Sequence, residues 1–189
     1  YVSNILLEIS QQNEGEFGLN LQWNCAKDDI SEFFSIYKST DGQNYTILSQ
    51  QSDTNYFDQI PINSTSISGK ICYFIEAKNT ISDSVFTSNT RCFIMEPVIR
   101  IPNAFTPGSG DVNDRFGPKL AFVSENNYIF RIYDRWGKLL YETTDQSDAW
   151  DGKFNGNYVS SGLYVYYIQY NRADGKTYEK NGSVAVIYP

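Results

Sequence analysis

IPNAFTPGSGDVNDRF, residues 101–116, is the stretch on which the reading of this chain turns. Pro102 and Pro107 each push the preceding residue toward extended or polyproline geometry, so the segment should open as strand. Gly108-Ser109-Gly110-Asp111 then supplies two glycines and an aspartate, the residue types of a tight turn. Asn113 and Asp114 follow, and the apolar Phe116 closes the stretch. Residues 1–97 before it read as one β-domain, and residues 98–189 as a second.

Charge changes at the same place. Residues 1–97 hold five basic and twelve acidic groups, giving −7, whereas residues 98–189 hold ten of each. An acidic first half argues against nucleic acid and anionic lipid as partners. It suits the soluble surface of an extracellular module. Apolar residues make up 41% and aromatics 16% of the chain, enough for packed cores. The aromatics are mostly Tyr and Phe, which favour strands. There is no histidine. That removes Ser-His-Asp and Cys-His nucleophile systems, histidine-liganded metals and any histidine pH switch. No run of 18 apolar residues is present, so no membrane span is expected. The opening YVSNILLEIS lacks an initiator Met and a basic region before an apolar run, so it is not expected to be a signal peptide. The chain is expected to be a fragment of something longer.

In the first half, strand-like runs recur between turn signals. LNLQWNC (19–25) alternates, with Leu19, Leu21, Trp23 and Cys25 on one face. FFSIYKS (33–39) meets Asp41-Gly42, a hairpin signal, and returns through YTIL (45–48). NYFDQI (55–60), ICYFIEAKN (71–79) and VFTSNTRCFIM (85–95) follow, the last read as one strand. This density of short strands is the mark of a Greek-key sandwich. Trp23 in the second strand, the Tyr-Lys-Ser hairpin and Tyr73-x-Ile75-x-Ala77-x-Asn79 resemble a fibronectin type III domain. The resemblance implies that Trp23 and Tyr73 are core residues, the tyrosine packing into a corner.

Three cysteines are too few and too scattered for a zinc site. Within the fibronectin-like layout Cys72 and Cys92 fall on neighbouring strands and are expected to pair, leaving Cys25 a buried thiol. The rival, an inter-sheet Cys25–Cys72 bridge, is disfavoured because Cys72 alternates away from Tyr73, Ile75 and Ala77.

In the second half the strands are KLAFV (119–123), YIFRIYD (128–134), KLLYE (138–142), LYVYYIQYN (163–171) and GSVAVIY (182–188). Arg135-Trp136-Gly137 makes a tight turn between two of them, and Asp174-Gly175 marks another hairpin. Strand 163–171 is apolar on both faces, as expected of a central strand or one covered by a partner. IPNAFTP, VNDRF, IYDRWGKLLYET, WDGKFNG and SSGLYVYYI occur in that order. This succession resembles the gliding-motility-associated C-terminal domain, the type B sorting domain of the type IX secretion system.

That resemblance carries over to Pro102, Asn103, Phe105, Pro107, Asn113, Asp114, Phe116, Arg135, Trp136, Gly137, Trp150, Asp151, Gly152, Gly162 and Tyr164. It implies an all-β chain of two tandem immunoglobulin-like or fibronectin type III-like sandwiches, 1–97 and 98–189. The implied role is non-catalytic: sorting and surface anchoring of a large, adhesin-like exported protein. The implied partners are type IX translocon components and an outer-membrane protein of the PorP/SprF kind. Trp150 is expected to plug the sandwich edge, Asp151 to bond nearby backbone and Gly162 to admit a sharp bend. IPNAF becomes the first strand of the sorting domain, which moves the hinge to about Glu96–Arg100.

Many family members carry an Asp-rich loop where this chain has Gly110 and Asp111. Calcium wants six to eight oxygens, and Asp111, Asn113 and Asp114 with backbone carbonyls supply only some of them. A plain hydrogen-bonded turn is expected and no cofactor. The acidic residues form no carboxylate-pair motif of a glycosidase. The alternative role is an adhesion module in which exposed tyrosines such as Tyr158, Tyr167 or Tyr170 stack on a glycan or pack on a protein.

Overall fold

The computed structural model describes residues 5–11, 17–25, 30–62, 69–79 and 84–188. Among them every regular element is a strand. The chain divides into two compact units, Tyr1–Met95 and Glu96–Pro189.

The first unit contains β1 (Leu6–Gln11), β2 (Gly18–Asn24), β3 (Ile30–Ser39), β4 (Thr46–Gln51), β5 (Asn55–Gln59), β6 (Lys70–Asn79), β7 (Val85–Thr87) and β8 (Arg91–Ile94). One antiparallel sheet runs β1-β2-β5; the other runs β4-β3-β6-β7, with β8 also on β6. Alternation explains the layers. Leu19, Leu21 and Trp23 of β2 are buried, as are Ile71, Tyr73, Ile75 and Ala77 of β6. Side chains two apart share a face of a strand, so these two rows face one core. Trp23 meets Phe34 edge-on at 5.6 Å. The Tyr73 hydroxyl donates to the buried Asp58, whose carboxylate also pairs with Lys38 at 2.6 Å. Burial and this carboxylate both push the Tyr73 phenol up from its ordinary range.

Two expectations for this unit need correction. The stretch 85–95 is two strands, because Ser88 spends its side chain on the β6 backbone and Asn89 turns away to bond Leu7 of β1. Ser88 donates its N–H to the Ile75 carbonyl at 2.8 Å and accepts the Ile75 N–H on Oγ at 2.9 Å. The Asn89 side chain accepts the Leu7 N–H at 2.8 Å and donates to the Leu7 carbonyl at 3.2 Å, tying the segment to the opposite sheet. Cys25 is half-buried at the end of β2 rather than buried, though desolvation still raises its thiol pKa. Cys72 and Cys92 lie directly opposite each other on β6 and β8, Cα atoms 4.0 Å apart, and are joined by a disulfide.

The second unit contains β9 (Val98–Arg100), β10 (Ala104–Phe105), β11 (Lys119–Ala121), β12 (Ser124–Tyr133), β13 (Leu139–Thr143), β14 (Lys153–Phe154), β15 (Asn157–Tyr158), β16 (Gly162–Asn171) and β17 (Thr177–Val186). Its main sheet runs β10-β17-β16-β12-β13, with β10 parallel to β17 and the other pairs antiparallel. β16 is central, which accounts for its length and aromatic content. The inward residues are Phe130 and Ile132 on β12, Tyr166 and Ile168 on β16, and Val184 and Val186 on β17. Two short ladders, β9–β11 and β14–β15, stand apart from that sheet. Ile99 of β9, Leu120 of β11 and Val159 after β15 pack against the core row and cover it.

The division between the units falls at Met95/Glu96, at the start of the expected hinge, but its later residues are not part of a hinge. Val98–Arg100 is β9, registered Val98↔Ala121, Ile99↔Leu120 and Arg100↔Lys119, so it belongs to the second unit. Apolar, β-branched Val98 and Ile99 give it strand preference, and Ile99 adds a core contact. IPNAF is accordingly the second strand of this unit, and only Ala104–Phe105 of it is in a ladder.

Candidate functional site

The sequence motifs of the second unit converge on one end of its sandwich. Pro102 and Asn103 are exposed, and the Asn103 carbonyl accepts the Ala185 N–H at 2.9 Å, seating β10 on β17. Phe105 then turns inward, its ring 5.6 Å from Phe116 and 5.4 Å from Trp150. Phe116 reaches Phe130 and Tyr166 at 5.7 and 6.0 Å, and Trp150 meets Tyr164 edge-on at 5.5 Å. Tilted and edge-on aromatic pairs at these separations add to the gain from burial alone.

Trp150 is fully buried in this cluster, and its Nε1 donates to the Lys153 carbonyl at 2.9 Å. The bond satisfies an indole N–H that burial would otherwise leave costly. Asp151 accepts the Lys153 N–H at 3.0 Å, as a turn aspartate does. Gly152 has φ 76°, and a Cβ there would sit 2.5 Å from Cβ of the buried Pro107. Glycine is required at that point by conformation and by space alike. Gly162, at the start of β16, has φ 154° and is exposed. Tyr164 donates its hydroxyl to the Ser160 carbonyl at 2.8 Å and Tyr188 to the Val159 carbonyl at 2.7 Å, closing the same end.

The loop between Pro107 and Phe116 is a self-bonded turn. The Thr106 N–H donates to the Asn113 carbonyl at 2.9 Å and the Asp114 N–H to the Asp111 carbonyl at 3.1 Å. A carboxylate oxygen of Asp114 accepts the Gly108 N–H. Asp111 and Asn113 are exposed, and Val112 between them is 98% exposed. Among the described residues no group of three or more His, Cys, Asp or Glu is placed to hold a metal ion.

Arg135, Trp136 and Gly137 behave differently from the rest of the motif set. All three are exposed on the turn between β12 and β13. The turn is rigidly built: Asp134 accepts the Trp136 and Lys138 N–H groups on one carboxylate oxygen at 2.9 Å each. The Asp134 N–H donates to the Lys138 carbonyl at 3.0 Å, and the Gly137 N–H to the Asp134 carbonyl at 3.0 Å. Trp136 is 76% exposed, with the Arg135 guanidinium carbon 4.2 Å from its ring centre.

The tyrosines singled out for stacking on a ligand are not gathered together. Tyr158 is half exposed and meets Tyr188 edge-on at 6.3 Å. Tyr170 is half-buried and stacked on Tyr178 at 5.5 Å, and Tyr167 is half-buried. On the outer face of β16, read in the sequence as apolar on both sides, Leu163 and Val165 stay exposed, with Tyr133 of β12 between Val165 and the exposed Leu139 of β13. The signal was in the sequence, as apolar residues on both faces of one strand.

Residues 99–186 match the CHU_C type IX secretion signal domain family. The match covers nearly all of the second unit, which is therefore a type IX secretion signal domain. No curated protein matches the chain. Among solved structures it is similar to the tetra-tandem repeat in the extending region of a large adhesion protein, at TM-score 0.49 and 11% identity over 98% of this chain and 49% of that one. It is also similar to the chicken CNTN1 FN1-FN3 domains, at TM-score 0.36 and 12% identity over 99% of this chain and 66% of that one. A third is dimeric latent PorU from Porphyromonas gingivalis, at TM-score 0.31 and 13% identity over 97% and 20%. The chain thus spans about half the length of the first of these and a fifth of the last.

Proposed function

We propose that this chain is the non-catalytic address and anchor of a large, adhesin-like surface protein. The type IX translocon recognises the second unit, and a dedicated outer-membrane protein of the PorP/SprF kind retains it on the extracellular side. The first unit acts as a spacer that presents the second. One observation carries this reading: the secretion-signal family match covers residues 99–186, nearly the whole second unit. The compact second unit, with a core of its own, supports it as a separable signal.

The test is fusion of residues 96–189 to a periplasmic reporter in a type IX-competent cell carrying the cognate outer-membrane partner. Surface display of the reporter, lost when the translocon is deleted, is the expected outcome. Retention in the periplasm with the partner present would defeat the proposal.

A further inference from the structure

Most motif residues of the second unit serve its architecture. Phe105, Phe116 and Trp150 build its core, and Gly152 fits against Pro107. Trp136 has no such role that its burial reveals. It is a large apolar side chain left 76% in water on a turn that four backbone hydrogen bonds, two of them to the Asp134 carboxylate, hold in place. These bonds fix the backbone of the turn that carries the exposed ring.

The indole is not isolated. β12 and β13 pair Tyr133 with Leu139, and β12 and β16 pair Tyr133 with Val165. Directly paired residues share a face, so Leu139 and Val165 lie in one cross-strand row, and Leu163, two residues before Val165, lies on the same face. Leu139 is 42%, Val165 44% and Leu163 67% exposed, opposite the buried Ile132 and Ile168. The row ends at β13, beside the turn that carries Trp136. Lys138 and Arg135 stand on that turn, while its one carboxylate, Asp134, is committed to backbone N–H groups.

We infer that Trp136, flanked by Arg135 and Lys138 and backed by Leu139, Val165 and Leu163, is the docking anchor for a partner protein. That protein offers an apolar pocket rimmed by carboxylates. Trp and Arg at the centre of a patch are the residues that dominate protein–protein binding energy, and a pre-ordered turn lowers the entropic cost of docking. Charge complementarity sets the rim: Arg135 lies over the indole and Lys138 stands on the same turn, its ammonium 4.3 Å from the Phe154 ring centre. Apart from these two cations the domain holds eight basic and ten acidic groups, so the turn is locally positive and calls for carboxylates opposite it. A lipid surface fits less well. An indole with three aliphatic side chains on a charge-neutral domain lacks the basic excess that interfacial binding to anionic lipid uses. This inference rests on the sorting reading above and names the surface that serves it.

The experiment fuses residues 1–189 to a periplasmic reporter in a type IX-competent cell and compares the wild type with Trp136→Ala and with Arg135→Glu/Lys138→Glu. Each purified chain is also melted, and its tryptophan emission is recorded with and without vesicles of phosphatidylcholine containing anionic phosphatidylglycerol. The expected result is display of the wild type, loss of display by about thirtyfold in both variants, and melting temperatures unchanged from wild type. No vesicle-induced blue shift should occur. Normal display of Trp136→Ala overturns the docking surface and leaves the sorting function standing. Retention of the wild type as well defeats the sorting function and the surface with it. A vesicle-induced blue shift that vanishes in Trp136→Ala assigns the anchor to lipid and overturns the protein partner. A variant that melts early is replaced by Trp136→Gln, whose normal display counts against the inference in the same way.

Discussion

Phe116 and Trp150 exchange backbone hydrogen bonds in both directions, N–H to carbonyl at 2.8 Å each way, as an antiparallel bridge outside any strand. The bridge fixes two loops to each other at the point where both side chains enter the core. Their rings share contacts with Phe105, which makes the end-cluster one packed group. Trp150→Ala should destabilise the second unit by about 3–5 kcal/mol, the usual cost of truncating a fully buried large aromatic. Trp150→Phe should cost less, since it keeps ring contacts, although it leaves the Lys153 carbonyl without its donor. Urea unfolding of both variants measures the order.

Gly152 and Gly110 share the same φ of 76° but differ in surroundings. At Gly110 nothing lies within 4 Å of the place a Cβ would take, whereas at Gly152 Pro107 lies at 2.5 Å. Gly110→Ala should therefore cost only the conformational penalty, about 1–2 kcal/mol. Gly152→Ala adds a steric clash with a buried ring and should cost clearly more. Equal melting temperatures for the two variants would contradict this assignment.

Acid should unpick the β16–β17 hairpin turn. Asp174 is held down to about 2 from its ordinary 3.8, first by the hydrogen bond from Arg172 and then by the Lys176 N–H. A carboxylate whose folded pKa is depressed contributes stability above its unfolded pKa and loses it as pH falls through the folded value. The contribution of Asp174 should thus be complete above about pH 5, decline between about 4 and 2, and be gone below. Denaturation midpoints measured from about pH 6 to pH 2 should converge for wild type and Asp174→Asn at the acid end. A gap that stays constant with pH would refute it.

The Cys72–Cys92 disulfide closes a short loop between paired strands, with a sequence separation of 20. Reduction should lower the stability of the first unit by about 2–4 kcal/mol. Unfolding with and without reductant checks it, and the Cys25→Ala variant should respond to reductant as the wild type does.

Period-two alternation made most of the strands legible in the sequence. Leu19, Leu21 and Trp23, or Phe130 and Ile132, announce a buried face because a strand has no other way to segregate apolar side chains. The motif order likewise disclosed the sorting domain. Three features escaped for lack of any local signal. Val98–Arg100 reads as the end of a linker until Lys119–Ala121 is found beside it. The break at Ser88-Asn89 depends on Leu7 and Ile75, far away in the chain. Trp136 and Trp150 look alike as motif tryptophans, yet one is exposed and the other has no solvent contact.

What the sequence by itself determined is the class: all-β, two sandwiches, a type IX secretion signal in the second. Alternation and turn chemistry are local properties of the chain, so they can be read locally. What only the tertiary structure decided is the division of labour among the motif residues. Burial depends on which distant strands pair, and pairing placed Trp150 against Phe105, Phe116 and Tyr164 while the β12–β13 turn kept Trp136 in water.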